Sequence, residues 1–264
     1  IVHNDAQHFS AGVDLNAFRD YIEQQDWDGI DGFLERFQNA VYKLKYTPVP
    51  VVGAPSGLAA GGGFEVLAHC DKLVAHSNSV MGLVESGVGV VPSGGGVKET
   101  FLRWFNTTNS WEDAAWKTWM NLGYGATGSS PELASKLQYF REGHDEVVMN
   151  RDRLLSRAIS IIGEMQDSYI TPRKPFIQLA NKNLSEKMDK FMQAGVDRGD
   201  FMPHDKTVAL TIGAIMLNDT DHDGHCDETA FFERERRAFI SLAKTKETYA
   251  RISSMLDNGS PIRN

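Results

Sequence analysis

The sequence predicts an α/β protein: a core over residues 1–130 followed by a helical region over 131–264. Three observations lead there. Short apolar, strand-like runs alternate with helical stretches up to about residue 100, as βαβ-type units require. Glycine-rich loops stand where a strand would pass into a helix. From Pro131 onward, apolar residues recur at amphipathic spacing in one segment after another.

The elements follow in order. Ile1-Val2-His3 reads as the end of a strand running into a loop. With no initiating methionine, it points to a longer polypeptide in which at least one strand precedes this chain. In Phe9-Ser10-Ala11-Gly12-Val13-Asp14-Leu15, small residues form a loop ahead of a helix-compatible run. Asp14 is its N-cap, a carboxylate able to satisfy an orphan amide. Ile30, Phe33, Leu34, Phe37, Ala40, Val41 and Leu44 repeat with a 3.6 period and predict a helix over 30–45. Thr47-Pro48-Val49-Pro50 stops it, because proline cannot continue the ladder. A short buried strand over 49–54 leads into a glycine loop at 57–63. A helix starts in the triple glycine and covers 65–70, and strands follow at 71–75 and 79–81. Helices are expected over 131–140, 152–165, 183–194, 205–217, 228–244 and 245–256, the last ended by Asn258-Gly259.

Composition narrows the function. The 264 residues are 41% hydrophobic and 23% charged, ordinary for a globular chain able to bury a full core. The net charge of −8 argues against nucleic acid as the main partner. No apolar run of about 18 residues indicates a membrane span, and no signal peptide is visible. Cys70 sits among apolar residues and Cys226 lies far from it. Two reduced thiols in a reducing compartment, the cytoplasm, are the expectation. Trp104, Trp111, Trp116 and Trp119 fall in one stretch and read as core or interface packing.

Two glycine-bearing stretches carry the chemistry. Residues 9–15 and Gly57-Leu58-Ala59-Ala60-Gly61-Gly62-Gly63-Phe64-Glu65 could each aim backbone N–H groups at one point, as an oxyanion site needs. A triple glycine also serves plain tight strand–helix packing, so neither loop decides alone. Glu65 reads as a helix-start carboxylate and Glu85 as a turn carboxylate, and each is also placed for proton transfer. Asp219-Thr220-Asp221-His222-Asp223-Gly224 matches the opening of a calcium loop, with Asp219, Asp221 and Asp223 as ligands. The twelfth position is Ala230 rather than glutamate, so an acidic solvated linker between two helices is the favoured reading and no metal is expected, the three aspartates being the minor alternative.

These loops, with Met81-Gly82-Leu83-Val84-Glu85-Ser86-Gly87-Val88-Gly89-Val90-Val91-Pro92-Ser93-Gly94-Gly95-Gly96, resemble the crotonase (enoyl-CoA hydratase/isomerase) superfamily. Val148-Met149-Asn150-Arg151-Asp152-Arg153-Leu154-Leu155, residues 233–242 and Ile262-Arg263-Asn264 resemble the hydratase part of bifunctional 3-hydroxyacyl-CoA dehydrogenase/enoyl-CoA hydratase proteins. The resemblance implies a spiral of ββα units and hydration of 2-trans-enoyl-CoA. It implies an oxyanion hole from the Val13 and Gly62 amides, with Ala11, Gly12, Asp14, Gly61 and Ser93 around the substrate. Glu65 and Glu85 match the two family carboxylates, which hydratases keep together; isomerases typically retain only the one matching Glu85. Ser93 departs from the glycine usual after that proline. The expected partner is an acyl-CoA thioester, with no cofactor in this part and NAD only in a dehydrogenase part outside it. Lys43, Lys45, Lys244, Lys246 and Arg251 are candidates for the CoA phosphates or ordinary solvated charges. Homo-oligomerisation or packing against a dehydrogenase part is the further expectation. The rivals are a 3-enoyl-CoA to 2-enoyl-CoA isomerase and a catalytically idle acyl-CoA-binding or scaffolding module.

Overall fold

The computed structural model describes residues 1–218 and 224–264. The calcium-loop candidates Asp219, Asp221 and Asp223 lie outside the described residues. The chain groups into two compact units, each assembled from three segments rather than divided at one point near residue 130. The first takes residues 1–13, 37–83 and 126–174, and the second 14–36, 84–125 and 175–264.

In the first unit the chain winds between two small sheets. Val52–Gly53, Lys72–His76 and Glu146–Val148 form one, parallel throughout, with the 72–76 strand central. Leu58–Ala60 and Val80–Gly82 pair in parallel in the other, and Thr127–Gly128 adds an antiparallel edge. Successive turns lay a strand on the first sheet and then one on the second. The N-terminal segment does the same with single bridges, Val2 to Gly53 and Ser10 to Ala59. That repetition is the predicted spiral.

The helix Leu154–Gln166 covers the first sheet. Leu154, Ala158 and Ile161 recur on one face and bury against Val52, Ala54 and Val74. Each large aliphatic buried there contributes about 1.5–3 kcal/mol. Polar ties fix the sheet's edge. Glu146 accepts from Lys72 Nζ at 2.8 Å and pairs with Arg157 Nη2 at 2.8 Å. Burial pushes the Glu146 carboxyl up, but the hydrogen bonds and charges of Lys72 and Arg157 outweigh it and hold it below its usual value.

The second unit is mainly helical. Leu15–Glu23 starts at Asp14, whose carboxylate accepts from the Asn16 amide at 2.9 Å, as the sequence indicated. Helix Trp27–Lys45 gives its residues through Arg36 to this unit and the rest to the first. Gly96–Thr108, Trp111–Gly123, Leu184–Arg198, Pro203–Met216, Glu228–Ala243 and Lys246–Asn258 complete it, with a short ribbon of Ile177–Gln178 against His225–Cys226. Trp119 anchors two of these helices, donating from Nε1 to Ala209 O at 2.7 Å, so the tryptophan stretch is packing. Both cysteines are buried and outside any disulfide.

The helix assignments differ from the structure in two places. The helix expected over 131–140 is only Pro131–Ser135, because Gln138 adopts φ +59° and turns Tyr139 and Phe140 inward. Tyr139 then packs on Phe64 with ring centroids 4.8 Å apart, a burial that outweighs continuing the helix. Helices 96–108 and 111–123 were not anticipated. Their Trp, Phe, Thr and Asn content has modest helix propensity, and packing supplies the difference.

Candidate active site

The two glycine stretches meet in the first unit through ordinary strand pairing. Ser10 N donates to Leu58 O and Ala60 N to Ser10 O, both at 3.0 Å. Phe9–Ser10 therefore runs as an extra strand beside Leu58–Ala60, and the turns that follow each arrive at the same level. Gly61 takes φ +54° with ψ −133°, a region essentially closed to residues bearing a Cβ. This kink ends the strand and begins the helix Gly62–Ala68 within one residue.

Gly12 makes the other close approach. Its φ is +98°, and a Cβ built there would stand 3.4 Å from Ala60 O and 3.6 Å from Gly62 N. On the other side, a Cβ on Gly62 would stand 3.2 Å from Val13 Cγ1. The Gly12–Val13 turn is thus in contact with the start of the triple-glycine helix. Gly12, Val13 and Gly62 line one cavity of about 350 Å³, together with Ser10, Phe37 and Val66. Amides in the first turn of a helix have no intrahelical acceptor, and Gly61 offers no capping side chain to the Gly62 turn. Gly61 N is itself committed, donating to Gly82 O at 2.9 Å. A small apolar-walled cavity bordered by residues 12–13 and 62 suits a polarised carbonyl oxygen.

The remaining sequence-predicted residues are distributed as follows. Glu65 is buried, 3% exposed, three residues into the same helix, with its amide on Gly61 O. Its carbonyl accepts from His69 Nδ1 at 2.7 Å. Ala11, Gly61 and Glu65 belong to the first unit but are not on the cavity wall. Asp14, Glu85 and Ser93 belong to the second unit.

Glu85 opens a 3-10 turn, Glu85–Val88, and is half-buried. Its carbonyl accepts from Val90 N at 3.1 Å, closing the loop on itself. Two helices brace that loop. Thr248 Oγ1 donates to Gly89 O at 2.7 Å, and its oxygen lies 2.9 Å from His204 Nε2. Burial, and then the nearby Arg251 charge, hold the His204 pKa below its usual value, so the ring stays neutral. Arg251 was a candidate for phosphate contact, but it is buried and paired with Asp205 at 2.7 Å. It is therefore neither a solvated helix charge nor a free phosphate contact, because its guanidinium is paired inside the unit.

Ser93 is buried ahead of the helix Gly96–Thr108. Sequence reasoning missed what holds this second glycine run. Glu235, fully buried, accepts from Gly95 N at 2.8 Å and Lys98 N at 2.9 Å, capping that helix with one carboxylate. Lys98, also fully buried, pairs with Glu228 at 2.6 Å and Glu99 at 3.0 Å. Burial pushes the Lys98 ammonium down, but these carboxylates more than offset it and keep the group charged. The signal was present in the spacing: Glu235 falls three and four residues from Phe232, Phe231 and Phe239, on the apolar face of its helix.

Among the described residues no helix is long and apolar enough to cross a membrane, and no cluster of three or more side chains suits a metal. Residues 1–104 match the family described as enoyl-CoA hydratase/isomerase. A Bacillus subtilis (strain 168) protein named as a probable 3-hydroxyacyl-CoA dehydrogenase is 29% identical, over 100% of this chain and 34% of its own length. A Rickettsia felis protein named as a fatty acid oxidation complex trifunctional enzyme is 26% identical, over 97% of this chain and 32% of its own. The chain therefore spans about a third of the length of these relatives. Among solved structures, an enoyl-CoA hydratase from Bacillus halodurans superposes with TM-score 0.60 at 17% identity, covering 95% of this chain and 78% of the other. One from Mycobacterium avium subsp. paratuberculosis K-10 gives 0.53 at 17% identity, with 89% and 74% covered. The shared feature is the fold.

Proposed function

We propose that this chain, whose residues 1–104 match the enoyl-CoA hydratase/isomerase family and whose fold is that of an enoyl-CoA hydratase structure, hydrates 2-trans-enoyl-CoA to 3-hydroxyacyl-CoA. The observation that carries the reading is the cavity bordered by Gly12, Val13 and Gly62. In it the Val13 and Gly62 amides receive the thioester oxygen. As water adds to the alkene, electron density moves onto that oxygen, and the two donors stabilise the enolate-like charge; losing one such donor costs about 3–4 kcal/mol.

Glu65 takes a proton from water as the water oxygen bonds to C3. Glu85, protonated, gives its proton to C2, so one water is consumed and each carboxyl ends in the other's starting state. A second exchange with solvent resets them. The presence of both glutamates is what favours hydration over double-bond migration, for which one would serve. In this reading Ala11, Gly12, Asp14, Gly61 and Ser93 shape the substrate's surroundings, and no cofactor takes part. The relatives, one named as a probable 3-hydroxyacyl-CoA dehydrogenase and one for fatty acid oxidation, support a place within a longer dehydrogenase-bearing polypeptide, where a second part uses NAD to oxidise the 3-hydroxyacyl product. Packing against that part, or self-association, is the corresponding assembly.

Mixing the chain with crotonyl-CoA tests the reading. Loss of the conjugated enoyl absorbance is the expected result. Inertness toward crotonyl-CoA with conversion of a 3-enoyl-CoA into a conjugated product would replace hydration by isomerisation. Binding of acyl-CoA with turnover of neither would leave a binding module.

A further inference from the structure

Both amide-bearing turns of the first unit rest on one small residue, Ser10. Its backbone is fixed from both sides by the strand Leu58–Ala60, through the two 3.0 Å bonds to Leu58 O and from Ala60 N. Its hydroxyl reaches forward along the chain: Oγ accepts from Gly12 N at 3.1 Å, a side-chain turn closed two residues on. Its Cβ reaches sideways to the triple glycine. A Cβ built on Gly63 would fall 2.4 Å from Ser10 Cβ and 2.6 Å from Ser10 Oγ. Gly63 has no positive φ, so what demands glycine there is the space that Ser10 occupies.

The consequence falls on the next amide. Gly12 N and Val13 N are consecutive donors of one turn. Gly12 N is committed to Ser10 Oγ, while Val13 N has no acceptor among the described residues. Residue 12 is a glycine at φ +98°, with no Cβ to resist rotation. The hydroxyl of Ser10 is what ties its amide down, and any rotation at residue 12 carries the Val13 amide with it.

We propose that Ser10 is a positioning residue for the oxyanion site. Its hydroxyl sets the Gly12–Val13 turn, and its Cβ seats that turn on the start of the helix Gly62–Ala68. The inference rests on the reading in which the Val13 and Gly62 amides receive the thioester oxygen. Ser10 gives no proton to the reaction; it fixes the direction of the donors before charge develops, which is where such a site gains its effect.

Ser10→Ala removes Oγ alone and keeps the Cβ contact and both strand hydrogen bonds. Its kcat for crotonyl-CoA is expected to fall about tenfold, the worth of one hydrogen bond, with KM within twofold of wild type. Ser10→Thr keeps an acceptor and is expected to stay within threefold of wild type. The second readout is the absorbance of bound 4-dimethylaminocinnamoyl-CoA, which moves to longer wavelength when its thioester oxygen is polarised. At saturation the shift should be clear in the wild type, reduced in Ser10→Ala and recovered in Ser10→Thr. A purely structural role would lower Tm and leave that shift alone. A wild-type shift that Ser10→Ala leaves unchanged, or a Ser10→Thr variant as impaired as Ser10→Ala, overturns the proposal while the oxyanion reading stands. A wild type that binds the probe with no shift ends the oxyanion reading, and this inference with it.

Discussion

Replacing Gly12 by alanine perturbs the candidate oxyanion site at its narrowest point. At φ +98° an L-residue is strained, which costs on the order of 1–3 kcal/mol. The new methyl would stand 3.6 Å from the Gly62 nitrogen and 3.4 Å from Ala60 O, near the space a thioester oxygen would need to approach that amide. The chain can relieve the strain only by rotating residue 12, and that swings the Val13 amide off its line. Either way one donor weakens, worth about 3–4 kcal/mol of transition-state stabilisation, or a loss of roughly 10²- to 10³-fold in kcat. An interaction made only in the transition state lowers kcat and kcat/KM together, so KM should move little. The strain itself should appear as a Tm lower by roughly 2–4 °C per kcal/mol. Steady-state kinetics with crotonyl-CoA, beside thermal unfolding, provides both readouts. A folded Gly12→Ala variant whose kcat stays within threefold of wild type would refute the assignment of this turn to the oxyanion.

Three other outcomes follow from the packing. Glu235→Ala leaves the Gly95 and Lys98 amides buried without their acceptor, so stability should fall by about 2–4 kcal/mol in chemical denaturation; an unchanged midpoint would mean that the cap is dispensable. His204, held neutral by burial and by Arg251, has its folded pKa below the unfolded value. Its contribution to stability is therefore complete above about pH 6.5 and is lost as pH falls below that. Urea midpoints across this range should drop less steeply in His204→Gln, and parallel curves would exclude the linkage. Tyr169 is pushed up to about 12 by burial, with the Asp71 charge and hydrogen bond adding to it. Holding its proton more tightly when folded, it stabilises the fold below about pH 10, and that gain disappears as pH rises toward 12. Alkaline absorbance titration of Asp71→Asn should show this tyrosine ionising at lower pH, with Tyr169→Phe identifying the signal.

The sequence exposed those features whose physics is local. Asp14 caps its helix because an aspartate before Leu-Asn-Ala-Phe has an amide to accept from two residues on. Gly259 ends the last helix at φ +75°, as Asn258-Gly259 indicated. The 3.6 period of residues 30–44 was a helix, begun three residues earlier at Trp27. The two glycine turns were visible as turns, and their contact became visible only when Ser10 paired with Ala59 across almost fifty residues. Long-range burial is what the pattern could not display. Arg251 looks like a solvated helix charge in sequence, yet it is buried against Asp205, 46 residues away, and Lys98 is buried against Glu228, 130 residues away. Helix 111–123 did leave a local mark, Ser110 accepting from the Asp113 amide, but its aromatic content masked the periodicity.

Crotonyl-CoA turnover by the wild-type chain, Glu65→Gln and Glu85→Gln tests the central assignment most directly. Measurable hydration by the wild type is expected, with a loss of about 10²- to 10⁴-fold in each glutamine variant, both remaining folded and able to bind acyl-CoA. Wild-type hydration that survives either substitution would contradict it.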